Sequence, residues 1–317
     1  MKTLISLLAA LFLLPSCARA QDMSGHHHGA PSPAADTMET QQWAKDRLAK
    51  SPRHREWVKV KNGTREVSAF VVYPEVKNKA TAVIVIHEIF GMSDWVQSLT
   101  DQLAEAGYVA IAPDLLSGMG PEGGGTASLG GGNAVGQAIR ALPPDQITGD
   151  LNAIADYVGK LPASNGKIVV TGYCWGGSQS FRFATNRPDI KAAFVFYGSA
   201  PAAADGAPDK TALANIKAPV YGFYAENDAR INATLPKTSE AMTELKKTFD
   251  PVTYAGAGHG FMRAGEGPPP TAPTATGNKE ADDKATADYQ KALATYNANK
   301  KARDDAWARW KKILAAV

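Results

Sequence analysis

A single cysteine stands in the segment TGYCWGG, residues 171–177, with Gly172 and Gly176 two positions to either side. The run KIVVTG before it has the pattern of a strand, and the stretch after it that of a helix. A thiol on the sharp turn between a strand and a helix stands clear of both elements. The N–H groups and dipole of the helix start there favour a thiolate or an oxyanion. Two more residue types complete a set for nucleophilic catalysis. The apolar run 219–225 leads into Glu226-Asn227-Asp228, and the run 250–256 leads into Gly258-His259-Gly260. His259 can exchange a proton with Cys174 while a carboxylate holds its imidazole in the working tautomer. Asp228 is the favoured acid, and Glu226 is its rival, able instead to cap the following helix or face solvent. Of the other histidines, His26–His28 lie near the N-terminus and His54 precedes the first strand. Only His87 competes with His259, and it comes before the cysteine in the chain.

The elements that must position these groups are legible as alternating patterns. EWVKVKNGTREVSAFVVYP reads as two strands split by Asn62-Gly63, a hairpin signal. Apolar strands follow at 82–87, 109–113, 167–172, 192–198, 219–225 and 250–256. Amphipathic helices are expected near 94–106, 145–160, 176–186, 233–248 and 282–315. Continuous apolar strands separated by helices describe an α/β fold: a mostly parallel sheet covered on both faces, with an N-terminal antiparallel hairpin at one edge. One domain over 51–317 is expected, with a flexible Pro/Gly/Thr-rich insertion at about 264–281 and a glycine-rich connection at 117–144.

The N-terminus has its own signature. MKTLISLLAALFLLPSCARA has a basic start, an apolar run and Ala18-Arg19-Ala20 before Gln21, the pattern of a secretory signal at 1–20. The run is too short for a permanent membrane span. Export to a bacterial periplasm is the reading, with lipid anchoring through Cys17 as its alternative. Residues 21–50 are expected to be a disordered or poorly ordered leader, and His26–His28 to be a solvated run and not a metal site. The 317-residue chain carries 34 Lys and Arg against 31 Asp and Glu; loss of Lys2 and Arg19 with the signal lowers the net charge from +3 to +1. No basic excess is left to draw nucleic acid. Cys174 is then the only thiol, so no disulfide can form within the mature chain.

Gly172-Tyr173-Cys174-Trp175-Gly176 fits the G-x-nucleophile-x-G elbow of α/β-hydrolases, with cysteine in the serine place, and the order nucleophile, acid, base is that of the fold. The loop HEIFG, 87–91, would supply one oxyanion-hole N–H from Ile89, and the residue after the nucleophile, Trp175, the other. Glu88 beside this hole is unusual, since a carboxylate near a thiolate should raise the thiol pKa. It is either an ordinary charge turned to water or a regulator of the thiol.

Together HEIFG (87–91), APDLL (112–116), GYCWGG (172–177), Asn227-Asp228 and GHGFMR (258–263) resemble the dienelactone hydrolase family. The resemblance implies a Cys174–His259–Asp228 triad cleaving a lactone or small ester through a thioester. It implies that Glu88 hydrogen-bonds the resting thiol, and that Arg263 binds a substrate carboxylate. The second family arginine, after the PDL motif, is missing: the chain reads Leu115-Leu116-Ser117-Gly118. Arg140 is the only arginine between Arg65 and Arg182. That departure leaves other esters or thioesters open as substrates, and a non-catalytic binding protein on the same scaffold is the remaining alternative. The G-x-G-x-x-G match at 118–123 lacks the helix a dinucleotide site needs. No cofactor and no metal are expected, and the expected partner is a small-molecule substrate of a monomer, without nucleic acid or a membrane span.

Overall fold

The computed structural model describes residues 41–317. The export signal, Cys17 and the His26–His28 run fall outside these residues. Among the described residues, eight strands form one sheet in the order β1-β2-β4-β3-β5-β6-β7-β8. The first two, β1 (Arg55–Asn62) and β2 (Arg65–Val72), are the expected hairpin; β2 also runs antiparallel to β4 (Val109–Pro113). From there the sheet is parallel: β4 pairs β3 (Ala80–Ile86), then follow β5 (Ser164–Tyr173), β6 (Ala193–Phe196), β7 (Val220–Asn227) and β8 (Phe249–Gly258). Inner strands β4 and β6 are buried at every residue, whereas the outermost strands β1 and β8 mix exposed and buried positions. That is why the inner strands read as unbroken apolar runs.

Ten α-helices accompany the sheet among the described residues. One face is covered by α1 (Gln42–Ala49), α2 (Asp94–Glu105) and α10 (Lys279–Leu314), through Leu48, Trp95, Leu99, Leu103, Trp310 and Leu314. The other face holds α3 (Gly132–Arg140), α4 (Pro144–Gly159), α5 (Trp175–Asn186), α6 (Lys210–Ala214) and α8 (Leu235–Glu244). Two short helices, α7 (Ala229–Asn232) and α9 (Phe261–Ala264), begin right after β7 and β8. Because β3 to β8 are parallel, the residues that follow β3, β5, β7 and β8 all emerge at one edge. This is the edge where open α/β sheets bind ligands.

Two expectations change. Residues 42–49, assigned to the leader, form α1: the Gln41 side chain accepts the Trp95 N–H at 3.1 Å and Ala44 is buried. The helix is mostly polar, so its apolar stripe is too thin to announce itself in sequence. The glycine-rich connection contains α3, whose Val135 and Ile139 enter the core between glycines that hide the periodicity. Residues 265–278 carry no helix or strand, yet they are tied at both ends. Glu266 accepts from Trp95 Nε1 at 2.9 Å and Tyr296 donates to the Gly267 carbonyl at 3.0 Å, while Asp282 accepts from Thr276 and Gly277.

Candidate active site

Cys174 joins β5 to α5 with φ 55° and ψ −116°, a strained conformation for any residue but glycine. The turn is possible because Gly172 and Gly176, two positions to either side, lack side chains. A methyl group on Gly172 would lie 1.9 Å from the Gly176 carbonyl oxygen, and one on Gly176 would lie 2.3 Å from the carbonyl oxygens of Ile86 and His87. Strand, turn and helix therefore approach as closely as bare backbone allows. The Cys174 N–H is satisfied by the Phe196 carbonyl at 3.1 Å, which ties the elbow to β6.

His259 lies just past β8, and its two nitrogens face two different groups. Nδ1 is 2.5 Å from Asp228 Oδ2 and Nε2 is 3.0 Å from Cys174 Sγ. The carboxylate can only accept, so Nδ1 carries the proton and Nε2 turns its lone pair to the thiol. Asp228 is 7% exposed and also caps α7 at the Ile231 N–H. The rival Glu226 is exposed and accepts from the Gly256 N–H at 2.8 Å, away from the imidazole. His87 is fully buried, donates Nδ1–H to the Glu88 carbonyl at 2.8 Å and stacks on Trp175 at 5.5 Å. Burial holds its pKa below the ordinary value, so it packs as a neutral ring under the 87–91 loop.

The sulfur of Cys174 sits against the backbone N–H groups of Trp175 and Ile89, the pair expected for an oxyanion hole. Both favour negative charge there, as does the nearby positive charge of Arg230. Burial and the Glu88 carboxylate oppose them and win, pushing the thiol pKa up to about 11. A thiol so raised is neutral at physiological pH.

Glu88 departs from what the resemblance implies. Its carboxylate is 2% exposed and turned to Arg263, whose Nε donates to Oε2 at 2.7 Å; Tyr197 Oη–H donates to Oε1 at 3.5 Å. Arg263, expected to hold a substrate carboxylate, is thus ion-paired within the protein and lies 5.2 Å over the Phe90 ring. The physical reason is mutual: a buried carboxylate is costly without a cation, and the guanidinium is the cation within reach. Arg140 is exposed, and a methyl on Gly136 would be 3.3 Å from its Nη1 and 3.8 Å from Ile89 Cγ1.

Two residues escaped the sequence. Tyr197, with φ 40°, stands at the end of β6, its ring 5.1 Å from His259 and its hydroxyl on Glu88. Nothing in AAFVFYG distinguishes it from a core aromatic. Arg230 could have been found from its place two residues after Asp228, on the short helix that the acid caps.

With this geometry in view, the relatives are informative. The dienelactone hydrolase family profile matches residues 67–317. A protein of Methylorubrum extorquens assigned as a carboxymethylenebutenolidase is 30% identical over 200 residues, 62% of this chain and 68% of its own length. One of Saccharolobus solfataricus, assigned likewise, is 30% identical over 230 residues, 62% of this chain and 84% of its own. Among solved structures, a Klebsiella pneumoniae protein assigned as a dienelactone hydrolase aligns with a TM-score of 0.59 at 24% identity, covering 77% of this chain and 98% of that one. A dienelactone hydrolase-like phosphotriesterase from metagenomic libraries aligns with a TM-score of 0.55 at 19% identity, covering 79% and 98%. These structures share the fold. The family profile covers most of the chain, including the whole elbow-to-histidine segment: the chain belongs to the dienelactone hydrolase family.

Proposed function

We propose that this hydrolase cleaves a lactone or small carboxylic ester by acyl transfer to Cys174. The observation that carries the reading is the position of His259, 2.5 Å from Asp228 on one nitrogen and 3.0 Å from the thiol on the other. His259 Nε2 takes the thiol proton, and Asp228 stabilises the imidazolium that forms. The thiolate attacks the carbonyl carbon, and the oxyanion is held by the Ile89 and Trp175 N–H groups. His259 returns the proton to the leaving alcohol, leaving a thioester on Cys174. Water, deprotonated by His259, then releases the acid. In this scheme burial, with the charge of Glu88, keeps the resting thiol neutral, and Arg263 with Tyr197 fixes where that charge sits.

The test is hydrolysis of p-nitrophenyl acetate by the purified protein beside Cys174→Ala. Removing the nucleophile should lower the turnover at least about 10³-fold, with the remainder coming from positioning and the oxyanion site. Equal turnover by both proteins would overturn the reading and leave a binding protein on a hydrolase scaffold.

A further inference from the structure

A cavity lies beyond the ends of β6 and β7, at the same sheet edge. It has a volume of about 220 Å³ and is walled by Ser199, Ala200, Pro201 and Ala202 on one side, and by Ala233 and Thr234 on the other. Pockets that bury a drug-sized ligand run to roughly 300–1,000 Å³, so this one suits a short arm of a molecule.

Both walls are anchored next to the triad residues. Gly198 packs its backbone on Gly177 and Ser178 in the first turn of α5, so closely that a methyl on it would fall 2.3 Å from the Ser178 nitrogen. The Ser199 N–H then donates to Ser178 Oγ at 2.9 Å, and the Ser178 N–H donates to the Cys174 carbonyl at 3.2 Å. Ala233 and Thr234 follow α7, the single turn that starts at Asp228. The outer wall is ordered as a small flap: Ala202 bridges Pro208, Ala203 N–H donates to the Ala207 carbonyl at 2.8 Å, and Asp209 N–H donates to the Pro201 carbonyl at 2.9 Å. Its own backbone groups are thus engaged, and it presents alanine and proline side chains that offer no hydrogen bond. Lys237 stands exposed at the rim.

With the carbonyl oxygen on the Ile89 and Trp175 amides and the leaving group toward His259 Nε2, the remaining substituent of the reacting carbon is the acyl chain. We propose that the cavity between the 199–208 flap and the start of α8 is an acyl-chain site, and that the preferred substrates are esters of short unbranched aliphatic acids. This rests on the acyl-transfer reading above and adds the substrate class to it.

The experiment is kcat/KM for p-nitrophenyl acetate, propanoate, butanoate, pentanoate, hexanoate and octanoate with the intact protein. Each methylene entering an apolar site should raise kcat/KM by about three- to fourfold, and the rise should stop when the cavity is full. Ala233→Phe and Ala202→Phe fill the cavity from opposite walls. Either should bring the pentanoate-to-acetate ratio down at least about tenfold, and agreement between the two guards against a local folding fault in one. A wild-type series that is flat, or a ratio unchanged in both variants, overturns the acyl-chain site while Cys174-dependent turnover leaves the reaction standing. Turnover of the whole series that is absent or equal in Cys174→Ala overturns both.

Discussion

Two glycine-rich segments each follow a strand and lead into a helix, and they use glycine for different reasons. In the elbow, residues 172–177, the glycines are needed for what surrounds them: a Cβ at Gly172 or Gly176 would enter a carbonyl oxygen at 1.9 or 2.3 Å. In the connection after β4, Gly131 has φ 76° and ψ −174° with nothing within 4 Å of its missing Cβ. At Gly131 glycine supplies a backbone conformation and no close approach, whereas earlier in the same connection a Cβ on Gly120 or Gly125 would fall 2.0 Å from Ser128 Oγ or 2.2 Å from Asp114 Oδ2. Composition alone makes the two segments look alike. Space around the Cβ separates a turn that three elements press upon from one that solvent surrounds, and the former carries the nucleophile.

The sharpest way to break this contrast is Gly176→Ala. The added methyl meets two backbone carbonyls, neither of which can rotate away, so strand β3 or helix α5 must move. The cost should exceed the usual 1–3 kcal/mol of overpacking and reach on the order of 4 kcal/mol. Thermal melting and ester hydrolysis should both collapse, because the displaced helix start carries the Trp175 N–H with it. A variant melting within a few degrees of the parent would show that the elbow is looser than its distances imply.

A subtler change leaves the elbow in place and alters only its charge. Glu88→Gln removes the carboxylate that raises the Cys174 pKa and leaves the Arg263 cation near the sulfur. Both effects favour the thiolate, so its midpoint must fall below the parent value of about 11. The rate of alkylation by iodoacetamide as a function of pH reads this directly. At pH 8 the variant should react several-fold faster, on the order of tenfold for each unit by which the midpoint drops. An unchanged profile would mean that burial alone sets the thiol, and that Glu88 serves only to balance Arg263.

How much of this was legible depends on the range of the interaction. The elbow, the Asp228–His259 order and the parallel sheet follow from local pattern and chain order, because each rests on a strand followed by a turn of known chemistry. The Glu88–Arg263 pair spans 175 residues and forms because two buried charges need each other. No local pattern encodes that exchange of partners, although both residues stood out singly. Tyr197 was missed because a buried tyrosine at a strand end looks like core until its hydroxyl is seen to face Glu88. Helix α1 was missed because its stability comes from Asp94 and Trp95 on α2, which meet Gln41, and hardly from its own sequence.

The smallest expected effect tests the other half of the contrast. Gly131→Ala places a methyl in open space but forces an L-residue into a region that only glycine occupies freely, at a cost of about 1–3 kcal/mol. For a chain of this size each kcal/mol lowers the melting temperature by about 2–4 °C. The strain sits just ahead of α3, whose Gly136 lies beside Ile89, and five residues after Thr126, whose Oγ1 accepts the Met92 N–H at 3.1 Å. Melting should therefore fall by several degrees while kcat/KM on p-nitrophenyl acetate stays within about twofold of the parent. A loss of activity comparable to that of Gly176→Ala would mean that the loop after β4 holds the Ile89 amide in place. The two glycine segments would then be parts of one oxyanion device, and open space around a Cβ would no longer be a guide to which turn carries the chemistry.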